Sequence, residues 1–136
     1  MSDLSKSARP VYRNIHVTQI AKYRLPLAGW ISIFHRLSGA LLFLLLPFIL
    51  YLLDRSLTSE VSFGRFKSLT SNLVIELIVL AIAWAYLHHL IAGVRHLLMD
   101  MHHGLDKDQA RYSSIAVFAI SLPLTALIAL KLFGAF

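Results

Sequence analysis

Cysteine is absent from this 136-residue chain, so it can form no disulfide, hold no thiolate zinc site and ligate no conventional iron–sulfur cluster. Any metal must be held by histidine or carboxylate. Charge is scarce as well: 15% of residues are Asp, Glu, Lys or Arg, against 57% hydrophobic. That balance excludes a water-facing globular surface and is the composition of an integral membrane protein. Acidic residues are scarcer than basic ones, seven against thirteen, giving a net charge of +6. Most of the excess lies ahead of the first apolar run, which reads as a topology signal rather than a nucleic-acid-binding face. Residues 1–25 lack an unbroken apolar core of secretory-signal length, so no cleaved targeting peptide is expected.

What the chain does have is three long apolar segments, at about 26–53, 69–99 and 114–136, each exceeding the roughly 20 residues needed to cross a bilayer as a helix. The stretches that join them, "DRSLTSEVSFGRFKS" and "DMHHGLDKDQARY", are polar and predict turns between antiparallel helices. The expected fold is all-α: an N-terminal arm at 1–25, then a three-helix transmembrane domain at 26–136. Lys6, Arg9, Arg13, Lys22 and Arg24 crowd the N-terminal side, whereas the opposite loop offsets Arg55, Arg65 and Lys67 with Asp54 and Glu60. This asymmetry predicts a cytoplasmic N-terminus and a C-terminus on the other side, where Lys131 can snorkel to the interface. Pro47 and Pro123 each remove one helix hydrogen bond and predict gentle kinks. Three helices can hardly enclose a buried polar stripe by themselves, so partner helices are expected.

Such a stripe exists in "YLHHLIAGVRHLLMDMHHG", residues 86–104. At 100° per residue, with His89 as origin, Gly93 falls at about +40°, His96 at about −20° and Asp100 at about +20°. These form one stripe; His88, Arg95 and Met99 form a second about 100° away, so His88 and His89 cannot both ligate one iron from a straight helix. A haem suits the first stripe. One imidazole supplies an axial nitrogen, Gly93 leaves a notch for the macrocycle, and basic groups along the helix receive propionates. The second axial ligand would come from another chain. In "SIFHRLSG" of the first segment, Ser32, Arg36 and Gly39 share a face with His35 beside them. Arginine inside a span is costly enough to suggest a function. In this topology Arg36, Arg95, His96 and Asp100 converge on the cytoplasmic half, with His89 roughly 10 Å deeper than His96. A hydroxyl and an arginine near a haem edge suit a quinone, whose carbonyl oxygens need donors and whose reduced forms need positive charge.

"RPVY", "SIFHRLSG" and "HLIAGVRHLLMD", in this order and on these segments, resemble the cytochrome b membrane-anchor subunits of succinate dehydrogenase, respiratory complex II. The resemblance covers nearly the whole chain. It implies a multi-pass protein of the bacterial inner membrane, with a periplasmic C-terminus, that forms a helical bundle with a second small anchor subunit. It further implies haem b ligated by His89, with His35, Arg36 and His96 near the propionates, and ubiquinone held by Ser32 and Arg36. Asp100 matches a position associated with proton delivery or the propionates. The other implied partners are an iron–sulfur subunit and a flavoprotein subunit, which carry the succinate chemistry; this chain would be non-catalytic. The sequence departs from the family in a longer segment between Arg9 and Ser32, and in His102 where a small residue is expected.

Competing readings stand beside each assignment. His89 could be bonded to a neighbouring helix, Arg36 could be an interfacial anchor, Ser32 could bond the carbonyl one turn back, and Asp100 could simply end its helix near water. His16, His88, His102 and His103 read as surface or interface residues, Glu76 as lying near the outer interface, and Trp30, Trp84 and Tyr86 as packing or interfacial aromatics. Two other function classes compete. A histidine-box di-iron oxygenase would need more ligand clusters than the sequence supplies. A haem-free assembly or proton-conducting subunit would use the same stripe without a chromophore.

Overall fold

The computed structural model describes His16, Thr18, Gln19 and residues 22–134, with backbone only at 69 and 70. The expectations that rest on Lys6, Arg9, Arg13 and "RPVY", and the close of the third segment at 135–136, lie outside the described residues.

Among the described residues the structure is helical and without strands: α1 (Leu27–Thr58), α2 (Glu60–Thr70), α3 (Leu73–Asp100) and α4 (Lys107–Leu132). Helices α1, α3 and α4 are long and apolar enough to cross a membrane. The 32 residues of α1 extend about 48 Å at 1.5 Å per residue, well past a ~30 Å hydrocarbon core. Pro47 and Pro123 lie inside α1 and α4, and both helices continue through them.

The polar joining stretches differ from the turns expected. Residues 54–68 are helical on both sides of one extended residue, Ser59 (φ −162°, ψ 159°). Its hydroxyl accepts from the Ser62 N–H at 3.1 Å, while the Ser62 hydroxyl accepts from the Ser59 N–H at 3.1 Å. This reciprocal capping box starts α2 immediately where α1 stops. Residues 107–112 form the first turns of α4, with Asp108 at the positive end of the helix dipole. The Asn72 side chain caps α3 by accepting from the Val74 N–H at 2.9 Å. Glu76 sits in the first turn of α3. At its other end, His103 N–H donates to Leu98 O at 3.0 Å and His102 N–H to Met99 O at 2.9 Å. His102 takes the left-handed conformation between them, φ 64°, which makes this a Schellman cap.

Helix α3 is central, packed against α1 on one side and α4 on the other, while α1 and α4 touch more lightly. The residues buried between them are Ile31, Ala85, Ala92 and Val117, together with the polar Ser38, His88, Arg95, Ser114 and Ser121. Small and polar residues at the helix contacts, with large apolar ones outside, are the arrangement lipid favours. Association there depends on close backbone approach and hydrogen bonding instead of on removing apolar surface from water. Only 6%, 17% and 11% of the most apolar stretches of α1, α3 and α4 are buried, so this chain leaves most of its helical surface for lipid or other helices.

Candidate functional site

The first stripe of α3 faces α1, while the second lies toward α4, with His88 also reaching Phe34 of α1. His89, Gly93 and His96 turn to α1. The imidazoles of His35 and His89 stack in parallel, with centroids 4.2 Å apart and planes 3° apart, and His96 lies 4.8 Å from His35. The packing is reciprocal. "HRLSG" on α1 and "HLIAG" on α3 each place a glycine four residues after a histidine, and each histidine occupies the other helix's glycine. A Cβ on Gly39 would meet His89 Cε1 at 2.7 Å, and one on Gly93 would meet His35 Nε2 at 3.4 Å. The notch at Gly93 is therefore filled by His35 instead of standing open, a correction to the sequence reading.

His89 is fixed by its Nδ1, which lies 3.0 Å from the carbonyl oxygen of His35 and 3.3 Å from Ser38 Oγ. Its Nε2 makes no hydrogen bond among the described residues and is not one of the sealed interior atoms. The ring lines an open apolar groove of about 440 Å³ with Leu42, Phe43, Leu46, Ile49, Tyr86 and Leu90. This groove extends from His89 away from the N-terminal end of α1, whereas His35, Arg36 and His96 lie toward that end. The site is polar at one end and apolar at the other.

Ser32 is half-buried on α1 and makes no hydrogen bond among the described residues. In that it differs from Ser38, Ser56, Ser113 and Ser114, which bond carbonyls three or four residues back. One turn on, Arg36 is exposed, and its guanidinium has no acceptor among the described residues. Asp100 is exposed at the last position of α3.

The second stripe serves a different interface. Arg95 is turned toward α4, where its Nε donates to Ser113 Oγ at 2.9 Å and one terminal nitrogen to the Ala110 carbonyl at 3.5 Å. Its hydrogen bonds thus go to α4, while its charge still acts on neighbouring His96, as that of Arg36 does. His88, read from sequence as a surface or interface residue, is completely buried. It is walled by Trp84, Phe34 and Phe118 at 5.3, 6.0 and 5.6 Å between ring centroids. Neither of its nitrogens has a partner in hydrogen-bond geometry. Position alone puts His88 and His89 about 100° apart, but which of the two meets an aromatic wall depends on the neighbouring helices. His16, His102 and His103 are exposed. Trp84 joins the aromatic wall; Trp30 stacks on Phe34 at 5.9 Å, and Tyr86 lines the groove. Sequence reasoning missed Ser38. The repeated histidine-to-glycine spacing on α1 and α3 was the signal that could have found it.

Residues 6–128 match the family described as "Succinate dehydrogenase/Fumarate reductase transmembrane subunit". The chain belongs to this family. It is 40% identical to the succinate dehydrogenase cytochrome b556 subunit of Coxiella burnetii over 83% of this chain and 87% of that one. The corresponding subunit of Paracoccus denitrificans is 34% identical over 93% and 94%. A succinate dehydrogenase cytochrome b560 subunit of Reclinomonas americana is 34% identical over 62% of each chain. As a transmembrane subunit of this family, the protein works in a membrane as part of a larger complex. His102, singled out in the sequence reading, occupies the left-handed position of the Schellman cap, which glycine adopts most readily.

Proposed function

We propose that this chain is the cytochrome b membrane anchor of a succinate:ubiquinone oxidoreductase, holding haem b through His89. The observation that carries the proposal is the imidazole of His89: bonded at Nδ1, unpaired at Nε2, and facing an apolar groove with polar residues at one end only. The donor set fits the group. A neutral imidazole is an ordinary axial ligand of haem iron, the apolar lining suits the macrocycle, and His35, Arg36 and His96 at the polar end suit its propionates. The names of the related cytochrome b556 subunits support the same reading. Bound haem would supply a one-electron carrier within the membrane.

His35 stacks face to face on His89 and would support that ring instead of holding the haem itself. The second axial ligand is assigned to another small anchor subunit, which would also cover the groove. Ser32 and Arg36 are assigned to ubiquinone: an unpaired hydroxyl and an exposed guanidinium one turn apart can donate to a quinone carbonyl and balance charge as it is reduced. Asp100, exposed at the helix end, is assigned to proton supply from the aqueous face. Succinate would be oxidised on the flavoprotein subunit and its electrons delivered through the iron–sulfur subunit; the present chain docks both. The membrane is assigned as the bacterial inner membrane, with a cytoplasmic N-terminus and a periplasmic C-terminus.

The test is spectroscopic. In complex purified with all its subunits, His89→Ala should abolish the reduced b-type haem spectrum while the subunits still co-purify. An unchanged spectrum and haem content would overturn the ligand assignment, and wild-type complex without haem would favour an assembly or proton-conducting role.

A further inference from the structure

A metal-binding imidazole uses its unprotonated nitrogen, and the hydrogen bond made by the other nitrogen decides which one that is. His89 Nδ1 lies 3.0 Å from the His35 carbonyl oxygen, an atom that can only accept. In the neutral ring the proton is therefore on Nδ1, and Nε2 keeps its lone pair. Ser38 joins the same junction. Its hydroxyl donates to the His35 carbonyl at 3.0 Å, and its oxygen is 3.3 Å from His89 Nδ1 and can accept from it. Gly39 supplies the space, because a methyl group there would sit 2.7 Å from Cε1. Cε1 is a rigid ring atom between the two nitrogens, so the ring could not keep its position.

We infer that the segment from His35 to Gly39 is a built-in holder that sets both the tautomer and the aim of His89. The His35 carbonyl keeps the proton on Nδ1, Ser38 braces that junction, and Gly39 fixes how closely the ring approaches α1. Nε2 is thereby left free beside the groove. Ser38 and Gly39 are positioning residues: they act on His89 and not on the haem. The inference rests on the reading of His89 as haem ligand, and the experiment separates the two.

Ser38→Ala, Ser38→Thr, Gly39→Ala and His89→Ala are made in the complete complex. Haem per complex, the haem midpoint potential and the low-temperature electron paramagnetic resonance of the oxidised haem are then measured. Gly39→Ala should lower haem per complex, because the added methyl group pushes the His89 ring out of position. Ser38→Ala should keep the haem but move its potential and its resonance, and Ser38→Thr, which retains the hydroxyl, should return both to wild-type values. If His89→Ala loses the haem while Ser38→Ala and Gly39→Ala match wild type in all three measurements, the holder is refuted and the ligand stands. Haem retained in His89→Ala overturns both. Should Gly39→Ala fail to assemble, the Ser38 pair decides alone, since removing a hydroxyl that bonds its own helix leaves α1 intact.

Discussion

His88 and His89 share one turn of α3, yet they point about 100° apart and have different surroundings. His88 is sealed among Phe34, Trp84 and Phe118, with the Ile31 backbone near its ring but no partner in hydrogen-bond geometry. An unsatisfied polar group of this kind costs about 1–3 kcal/mol, and an apolar replacement of similar shape removes that penalty. His88→Leu should therefore leave the haem spectrum unchanged and hold or raise the thermal midpoint of the complex; a lost spectrum would mean that His88 and not His89 serves the cofactor. Arg36 is the other residue whose environment predicts its effect. A charged hydrogen bond is worth about 1.5–3 kcal/mol, so Arg36→Leu should lower kcat/KM for ubiquinone by roughly 10- to 100-fold. Succinate oxidation with a soluble dye acceptor should persist, and equal loss of both activities would indicate failed assembly. Helical geometry made the two stripes legible from sequence, because rotation per residue is a property of one helix. That His35 would sit in Gly93, or that Arg95 would reach Ser113, was not legible, because those partners belong to other helices whose register no single segment encodes.

Among the elements, α2 shows how a helix can hide in a polar stretch. Residues 60–70 carry no long apolar run, and the eye for membrane segments passes over them. The determinant is local: Ser59 and Ser62 at capping-box spacing end one helix and begin the next. The end of α3 is the converse case, where the unusual His102 marks the cap from sequence once a left-handed position is suspected. A residue with a Cβ is disfavoured there by about 1–2 kcal/mol. His102→Gly should accordingly stabilise the purified complex by about 1 kcal/mol, read as a rise in thermal midpoint with unchanged haem content. A fall would show that the His102 side chain has a partner in the complex.

At the scale of the whole molecule, the proposed site is half a site. The groove beside His89 is open, and α1, α3 and α4 bury little of their apolar length. Expressed without the other anchor subunit, the chain should not yield the absorption and resonance spectra of a six-coordinate haem; co-expression should restore them. A six-coordinate spectrum from the isolated chain would place both ligands on it. The need for partners was legible from composition, since three helices cannot both hide a polar stripe and stay apolar outside. Where the open side lies was not.

The inward-facing polar residues also determine what threatens the bundle. Ser38 and Arg95 hold neighbouring helices together through hydrogen bonds that meet no competitor inside a bilayer. Water is such a competitor. For this protein it acts as the denaturant and lipid as the native solvent, so lifetime outside the membrane should follow the dryness of the surrounding amphiphile, longest in lipid nanodiscs and shortest in short-chain detergent micelles.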